Sequence, residues 1–288
     1  MNIAYRFQIY PTEEQKILLG KTFGCCRFLY NQMLNDKIRE YEKTKKMLKN
    51  TPAMYKKEYP FLKEIDSLAL ANVQLHLEKA YKNFFRDPKI GFPRFKSKHH
   101  SKNSYTTNVV NGNILVESKR IRLPKLKWIA MKKHREPAEG LRLKSVTVSM
   151  EPSGKYFASL LYEGYSCENQ AAEPDCSTAR ILGIDYAMQG MAVFSEKIET
   201  EEAGFFRKNE KRLAREQRKL SRCVRGSHNY ELQKKKVARC HEKIRNQRRD
   251  HLHKLSRKIA DGYDAAAVED IDLSLIHISE PTRLQLIS

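Results

Sequence analysis

ILGIDYA, residues 181–187, and AAAVED, residues 265–270, are the two stretches whose reading decides this chain. Each is a short run of small and aliphatic residues that reaches an acid, Asp185 in the first and Glu269 in the second. Runs of this length and composition read as buried strands. Between them, residues 207–258 hold 20 Lys/Arg against 5 Asp/Glu, a surplus of 15 in a chain of formal net charge +21. Carboxylates at adjacent strand ends suit a hard divalent cation, and Mg²⁺ takes only one or two of them from protein. A basic surface beside such a site attracts a polyphosphate backbone. The pattern points to metal-dependent cutting of nucleic acid. Taken singly, each acid has a plainer reading as a strand-end residue that caps a turn. Taken together, with a hairpin after the first and basic helices before the second, they suggest a ribonuclease-H-like carboxylate site. A two-metal site of that kind needs at least one more acid from a later element.

Composition sets wide bounds. With 288 residues, of which 40% are hydrophobic, the chain can form one large or two to three small domains. A pI near 9.7 points to nucleic acid or an anionic membrane surface. No apolar run approaches the 18 or so residues of a membrane span. The start, MNIAYRFQIYP, alternates like a strand and lacks the form of a signal peptide. Cys25, Cys26, Cys167, Cys176, Cys223 and Cys240 form no CxxC pair, so neither a zinc ribbon nor a disulfide framework is legible. Reduced thiols in a cytoplasmic protein are the expectation.

The last sixteen residues, LSLIHISEPTRLQLIS, begin with the translation of a transposase-type sequencing adapter. Residues 273–288 are therefore expected to be a non-native tail, with the native sequence ending near Asp272.

Along the chain, Ile3, Tyr5, Phe7 and Ile9 share one side of a strand that Pro11 ends. Thr12-Glu13-Glu14-Gln15 has capping-box form and opens a helix, although Gly20 and Gly24 are expected to threaten its continuity. Ser67 starts a second long helix, with Leu70, Val73, Leu77, Tyr81 and Phe84 on one face, closed by Asp87-Pro88. GFPRFKSK, residues 91–98, is a basic loop interleaved with Phe92 and Phe95, whose rings either pin the loop or stack on nucleic acid. Short strands and turns follow from Tyr105 to Tyr165, joined by the N-terminal strand into a small β domain with Trp128 in its core. Residues 167–179 read as a linker. A new domain begins near Arg180 with two strands around Met188-Gln189-Gly190, then two basic helices broken near Arg225-Gly226-Ser227. Cys240-His241 lacks a second ligand pair and reads as a plain helix position.

GFPRFKSK, RIRLPKLKWI (120–129), SVTVSMEPSGKYFASLLYE (145–163), GIDYAMQGMAVFSE (183–196), QRKLSR (217–222), RRDHLHKLS (248–256) and AVEDIDLS occur in an order that resembles the TnpB/OrfB family of insertion-sequence proteins. The resemblance runs from residue 1 to about 272. It implies an α+β multidomain fold: a wedge-like β-barrel (1–10 and 99–166), an inserted helical recognition region (11–98), the linker (167–179), and a partial RuvC-like nuclease domain of ribonuclease-H-like fold (180–272). It implies relationship to type V CRISPR effectors and an RNA-guided, RuvC-type DNA endonuclease. The partners would be a guide RNA from the element's end and double-stranded target DNA, with no membrane. Asp185 and Glu269 correspond to the first two catalytic acids, ligands of Mg²⁺ or Mn²⁺. A third acid and a Zn²⁺ ribbon are implied beyond Asp272, so this chain is expected to be inactive. Ala187 departs from the family, where Gly is common. Phosphate contacts are expected from Arg94, Lys96, Lys98, Arg218, Lys219, Arg222, Arg248, Arg249 and Lys254. Two alternatives stand beside this reading. One is a non-catalytic RNA- or DNA-binding regulator of transposition. The other is a conventional three-acid transposase, which needs a helix-turn-helix that the sequence does not display.

Overall fold

The computed structural model describes residues 2–98, 101–164, 180–186, 192–196, 198 and 205–268. They fall in two compact units, Met1–Cys167 and Glu168–Ser288. The linker 167–179, the Met188-Gln189-Gly190 turn, Glu269 and the tail 273–288 lie outside the described residues.

The first unit opens with β1 (Asn2–Tyr10), which buries Phe7 and Ile9. Helix α1 (Glu13–Thr44) follows at once, because Thr12 accepts from the Gln15 N–H while the Gln15 side chain accepts from the Thr12 N–H. Gly20 and Gly24 do not break it. A Cβ at either would meet nothing within 4 Å, so they cost helix propensity without opening a gap in the packing. Leu19, Leu29, Met33 and Leu34 form its fully buried stripe. A short helix, α2 (Pro52–Glu58), and a 3₁₀ turn over Pro60–Lys63 lead to α3 (Ser67–Arg86). The strands are β2 (Asn103–Asn108), β3 (Leu115–Val116), β4 (Arg120–Leu123), β5 (Lys127–Lys132), β6 (Arg142–Met150) and β7 (Tyr156–Glu163).

These strands pair antiparallel in the order β2-β6-β7-β1-β5-β4-β3. The N-terminal strand thus sits in the middle of the sheet, with β7 on one side and β5 on the other. The sheet is open, with edges at β2 and β3, and the expected closed barrel is corrected accordingly. The reason lies at the edges. The two residues of β3 offer little to pair with, and β2 packs against helices, with Tyr105 meeting Phe23 of α1 at 6.0 Å between ring centres. Trp128 is corrected too. It lies on the outer face of β5, half-buried, with the Arg120 guanidinium 4.5 Å above its ring, while its neighbour Ile129 points into the core.

Helices and sheet share one apolar core. Asp66 ties the two together. Its Oδ1 accepts from the Leu68 N–H at 3.0 Å and caps α3, while its Oδ2 accepts from the Thr107 hydroxyl on β2.

The second unit comprises β8 (Ile181–Tyr186), β9 (Ala192–Phe194), α4 (Phe205–Ser221), α5 (His228–Gly262) and β10 (Ala265–Val268). Its sheet order is β10-β8-β9, with β8 parallel to β10 and antiparallel to β9. A parallel pair needs a long crossover, which α4 and α5 supply within the intervening chain. The two helices meet around Leu213, Cys240, Ile244 and Val237. Cys240 is thus a buried packing residue, as its position suggested.

Removing the Asp66 carboxylate should cost the α3 cap and leave the fully buried Thr107 hydroxyl without its acceptor. Asp66→Ala is expected to destabilise by about 2–4 kcal/mol. Urea unfolding followed by the fluorescence of Trp128, the single tryptophan, measures it. Adding Thr107→Val should restore part of the loss.

Candidate metal site and nucleic-acid interface

The pairing of β8 with β10 fixes the acidic end of the second unit. Ala265, Ala266, Ala267 and Val268 stand opposite Ile181, Leu182, Gly183 and Ile184. The pair therefore reaches its last described rung at Ile184 and Val268, the residues immediately before Asp185 and Glu269 in the chain. Asp185 is exposed, stands opposite Val193 of β9, and has no ion-pair partner among the described residues. Glu269, the other candidate ligand, lies outside them. Below Asp185 the sheet is tight. Gly183 donates its N–H to Ser195 Oγ at 2.9 Å and accepts from the Ser195 N–H at 2.9 Å. A Cβ on Gly183 would come within 3.3 Å of the Ser195 Cβ, so a larger residue there would crowd Ser195 and require it to shift by a few tenths of an ångström.

The opposite ends of the same two strands are tied by a cluster that sequence reasoning missed. The Arg180 N–H donates to Asp264 Oδ2 at 2.9 Å, and the Asp264 N–H donates back to the Arg180 carbonyl at 3.0 Å. The Arg180 guanidinium stacks 5.1 Å from the Tyr263 ring, whose hydroxyl donates to Glu196 Oε2 at 2.7 Å. Arg180 also lies 3.8 Å from Glu196. The hydrogen bond to Glu196 holds the Tyr263 phenol above its ordinary pKa, with burial and the negative charge of Glu196 adding to it. The sequence signal for this cluster is Tyr263-Asp264 immediately before one apolar run and Arg180 immediately before the other.

The cations expected to hold phosphate are divided between the two units. Arg218 and Lys219 are exposed near the end of α4, and Arg222 is exposed just beyond it. Arg248, Arg249 and Lys254 are exposed along α5. Lys254 pairs with Asp250 at 2.8 Å and Lys219 with Glu216 at 3.9 Å. Exposed pairs of this kind contribute little and leave most of the charge uncompensated. The hairpin itself is held by polar bonds across its seam. Gln233 Nε2 donates to the Glu216 carbonyl and to Glu216 Oε2 at 3.0 and 2.7 Å, and Asn209 Nδ2 donates to Gln247 Oε1 at 3.1 Å.

Arg94, Lys96 and Lys98 belong to the first unit. Arg94 and Lys98 are exposed. Lys96 is half-buried, its Nζ 3.9 Å from the Tyr30 ring centre. Its backbone is clamped by Asn31, which accepts from the Lys96 N–H at 2.8 Å and donates to its carbonyl at 2.9 Å. Phe92 is edge-on to Tyr81 and Phe84, which pins the loop, while Phe95 stays exposed.

Among the described residues no three His, Cys, Asp or Glu side chains form a cluster, so Asp185 stands there as a single strand-end carboxylate. A lone exposed carboxylate does not by itself make a metal site; Mg²⁺ there would need further oxygens from other groups and water. No helix of the described residues is long and apolar enough to cross a membrane.

The OrfB_IS605 family model, described as a probable transposase, matches residues 164–276. A companion model described as a helix-turn-helix domain matches residues 1–46. In this chain those residues form β1 and the single helix α1, with no second helix among them. The Escherichia coli (strain K12) protein named "Putative RNA-guided DNA endonuclease InsQ" is 33% identical over 283 residues, 94% of this chain and 66% of its own length. A Streptomyces pristinaespiralis protein named "Putative RNA-guided DNA endonuclease" is 32% identical over 280 residues, 93% of this chain and 66% of its own length. This chain thus spans about two thirds of each. "Virulence protein VsdF" of Salmonella dublin is 37% identical over 112 residues, 33% of this chain and 93% of that protein. A solved Cas12f1–sgRNA–target DNA complex covers 94% of this chain and 74% of its own at 13% identity and a TM-score of 0.31, a score too low to assign a fold.

The hydrogen bond from Gln233 holds the Glu216 carboxyl below its usual pKa, aided by Lys219, Arg215 and Lys236 and opposed by desolvation. A depressed folded pKa gives stability that is present above the unfolded value of about 4.3 and is lost as pH falls through the folded value. Helicity by far-UV circular dichroism is therefore expected to drop below about pH 4, and Glu216→Gln should weaken that drop.

Proposed function

The chain belongs to the OrfB_IS605 family, and from that premise we propose that it is part of an RNA-guided, Mg²⁺-dependent DNA endonuclease of a mobile element. The observation that carries the proposal is the parallel pairing of β8 with β10, whose last described rung stands immediately before Asp185 and Glu269. Residues at equal register positions of paired strands share a face of the sheet. In this reading Asp185 and Glu269 hold Mg²⁺ or Mn²⁺. When bound, the metal supplies an activated water and charge stabilisation of the leaving 3′ oxygen. The names of the two long relatives agree with this activity.

The chain's own residues then divide the work. Gly183 and Ser195 fix the floor on which Asp185 stands. Arg218, Lys219, Arg222, Arg248, Arg249 and Lys254 grip backbone phosphates without reading bases, leaving sequence selection to a guide RNA paired with double-stranded target DNA. A regulator that binds nucleic acid without cutting it is the second reading. It is favoured by the exposed cations of the α4–α5 hairpin, which binding without cutting would explain equally well.

Two measurements test the proposal: the first checks the nucleic-acid binding that both readings share, and the second separates them. The chain should bind structured RNA with an affinity that falls steeply as salt rises, since each neutralised phosphate releases counterions. Replacing Arg218, Lys219, Arg248 and Arg249 with Gln should flatten the slope by roughly one unit for each phosphate no longer neutralised. An unchanged slope would place the RNA elsewhere.

The 288-residue chain should leave matched DNA intact, whereas a chain extended to its relatives' length should cut it when supplied with its RNA and Mg²⁺. In the extended chain, Asp185→Ala or Glu269→Ala should abolish cutting and leave RNA affinity nearly unchanged. Cutting at the parental rate by either variant would remove that residue from the site.

A further inference from the structure

We infer that the first unit contains a phosphate-binding pocket, built from Arg27, His76, Lys96 and Lys102, that holds a backbone phosphate of bound nucleic acid; the inference rests on the nucleic-acid reading above. The four side chains line one cavity of ≈330 Å³ between α1, α3, β2 and the segment that joins α3 to β2. That volume lies at the lower end of the range of about 300–1,000 Å³ typical of ligand sites. Three separate parts of the chain contribute the basic groups: the cation Arg27 from α1, the imidazole of His76 from α3, and the cations Lys96 and Lys102 from the joining segment. Among the described residues, no Asp or Glu lines the cavity.

The absence of a lining acid matters because gathered cations repel one another, and desolvation adds to the cost. Desolvation acts on Lys96, and desolvation together with neighbouring charge acts on His76. Partial burial lowers the pKa of Lys96, with only a small opposing effect of Cys26. His76 is lowered first by desolvation at the cavity wall, although much of its surface is exposed, and then by the charges of Lys96 and Lys79. Asp66, whose charge reaches Cys26 and Tyr105 beside the cavity, has both oxygens engaged, one by Leu68 and the other by Thr107. An anion from outside the chain is the group that would offset these charges.

The cations are also held in place. Asn31 clamps the Lys96 backbone from both sides, and the Tyr30 ring sits 3.9 Å from its Nζ. The Arg27 guanidinium gives a hydrogen bond from Nη1 to Asn103 Oδ1 at 3.3 Å, which uses one of its five N–H donors. Ser101, Ser104 and Thr106 also line the cavity, with the Thr106 hydroxyl already paired with that of Thr147 at 2.8 Å. Charge and several convergent donors together suit a phosphate, whose oxygens accept more bonds than a carboxylate offers. Contacts of this kind position a nucleic acid without reading its sequence.

The test uses the full 288-residue chain and a fluorescently labelled RNA hairpin, with affinity measured by anisotropy over a range of salt. Lys96→Gln and Lys102→Gln should each weaken binding by a similar factor for two unrelated hairpin sequences and reduce the salt slope by about one unit. Lys102 is exposed, so its variant reports on the pocket even where Lys96→Gln unfolds the loop. Arg248→Gln with Arg249→Gln serves as the comparison. A slope changed by that pair and untouched by both pocket variants overturns the pocket while leaving the proposed function standing. No binding by the parent chain overturns both. In a second arm, the His76 imidazole is titrated by proton NMR. The RNA hairpin should raise its pKa, and inorganic phosphate at equal phosphate concentration should raise it less. A rise with inorganic phosphate and none with RNA would make the pocket a free-phosphate site and overturn the assignment to nucleic acid.

Discussion

The parallel pairing of β8 with β10 is the constraint on which the second unit depends. Ile184 and Val268 lie far apart along the chain, and only the register of their strands pairs them, next to Asp185 at the end of β8. That register is set at the other end, where Arg180 and Asp264 exchange two hydrogen bonds and Arg180 packs on Tyr263. A slip of one residue would move every β10 side chain to the opposite face. It would also break the exchange between Arg180 and Asp264. A polar cluster at one end of a short sheet thus fixes the register in which Asp185 is presented at the other.

The same topology explains the charge. Parallel strands cannot be joined by a tight turn, so the chain between them must travel out and back. Here the return path is the α4–α5 hairpin, whose apolar seam is small: Leu213, Cys240, Ile244 and Val237. Most of the surface of both helices therefore faces solvent and is free to carry Lys and Arg. Gln233 and Glu216 add a buried polar bond to that seam, which offsets its small apolar area. The crossover demanded by the sheet thereby doubles as the most basic part of the protein.

Much of this is legible in the sequence because it follows from local chemistry. The alternation of Ile3, Tyr5, Phe7 and Ile9 marks β1, the Thr12 capping box marks the start of α1, and Arg225-Gly226-Ser227 marks the break between the basic helices, where Ser227 caps α5. The features that are not legible depend on long-range partners. Nothing local says that β1 lies between β5 and β7, or that β2 turns to the helices and leaves the sheet open. Trp128 reads as core because it is large and apolar, but strand alternation gives the inward place to Ile129 and the outward one to Trp128, under Arg120. Lys96 stands out in sequence only as one cation in a basic loop. Its companions Arg27 and His76 come from helices elsewhere in the chain, so their convergence appears only on folding. Asp185 is legible as an acid in an apolar strand, and its alignment with the end of β10 is not.

The most direct test of the central claim is to map Mn²⁺, a paramagnetic stand-in for Mg²⁺, onto the backbone amides by NMR broadening. The account predicts that at low Mn²⁺ the amides of Ile184, Asp185 and Val268 broaden first, and that Asp185→Asn removes the effect. Broadening confined to the exposed acids of the hairpin, such as Glu231 and Asp250, with β8 and β10 unaffected, would contradict it.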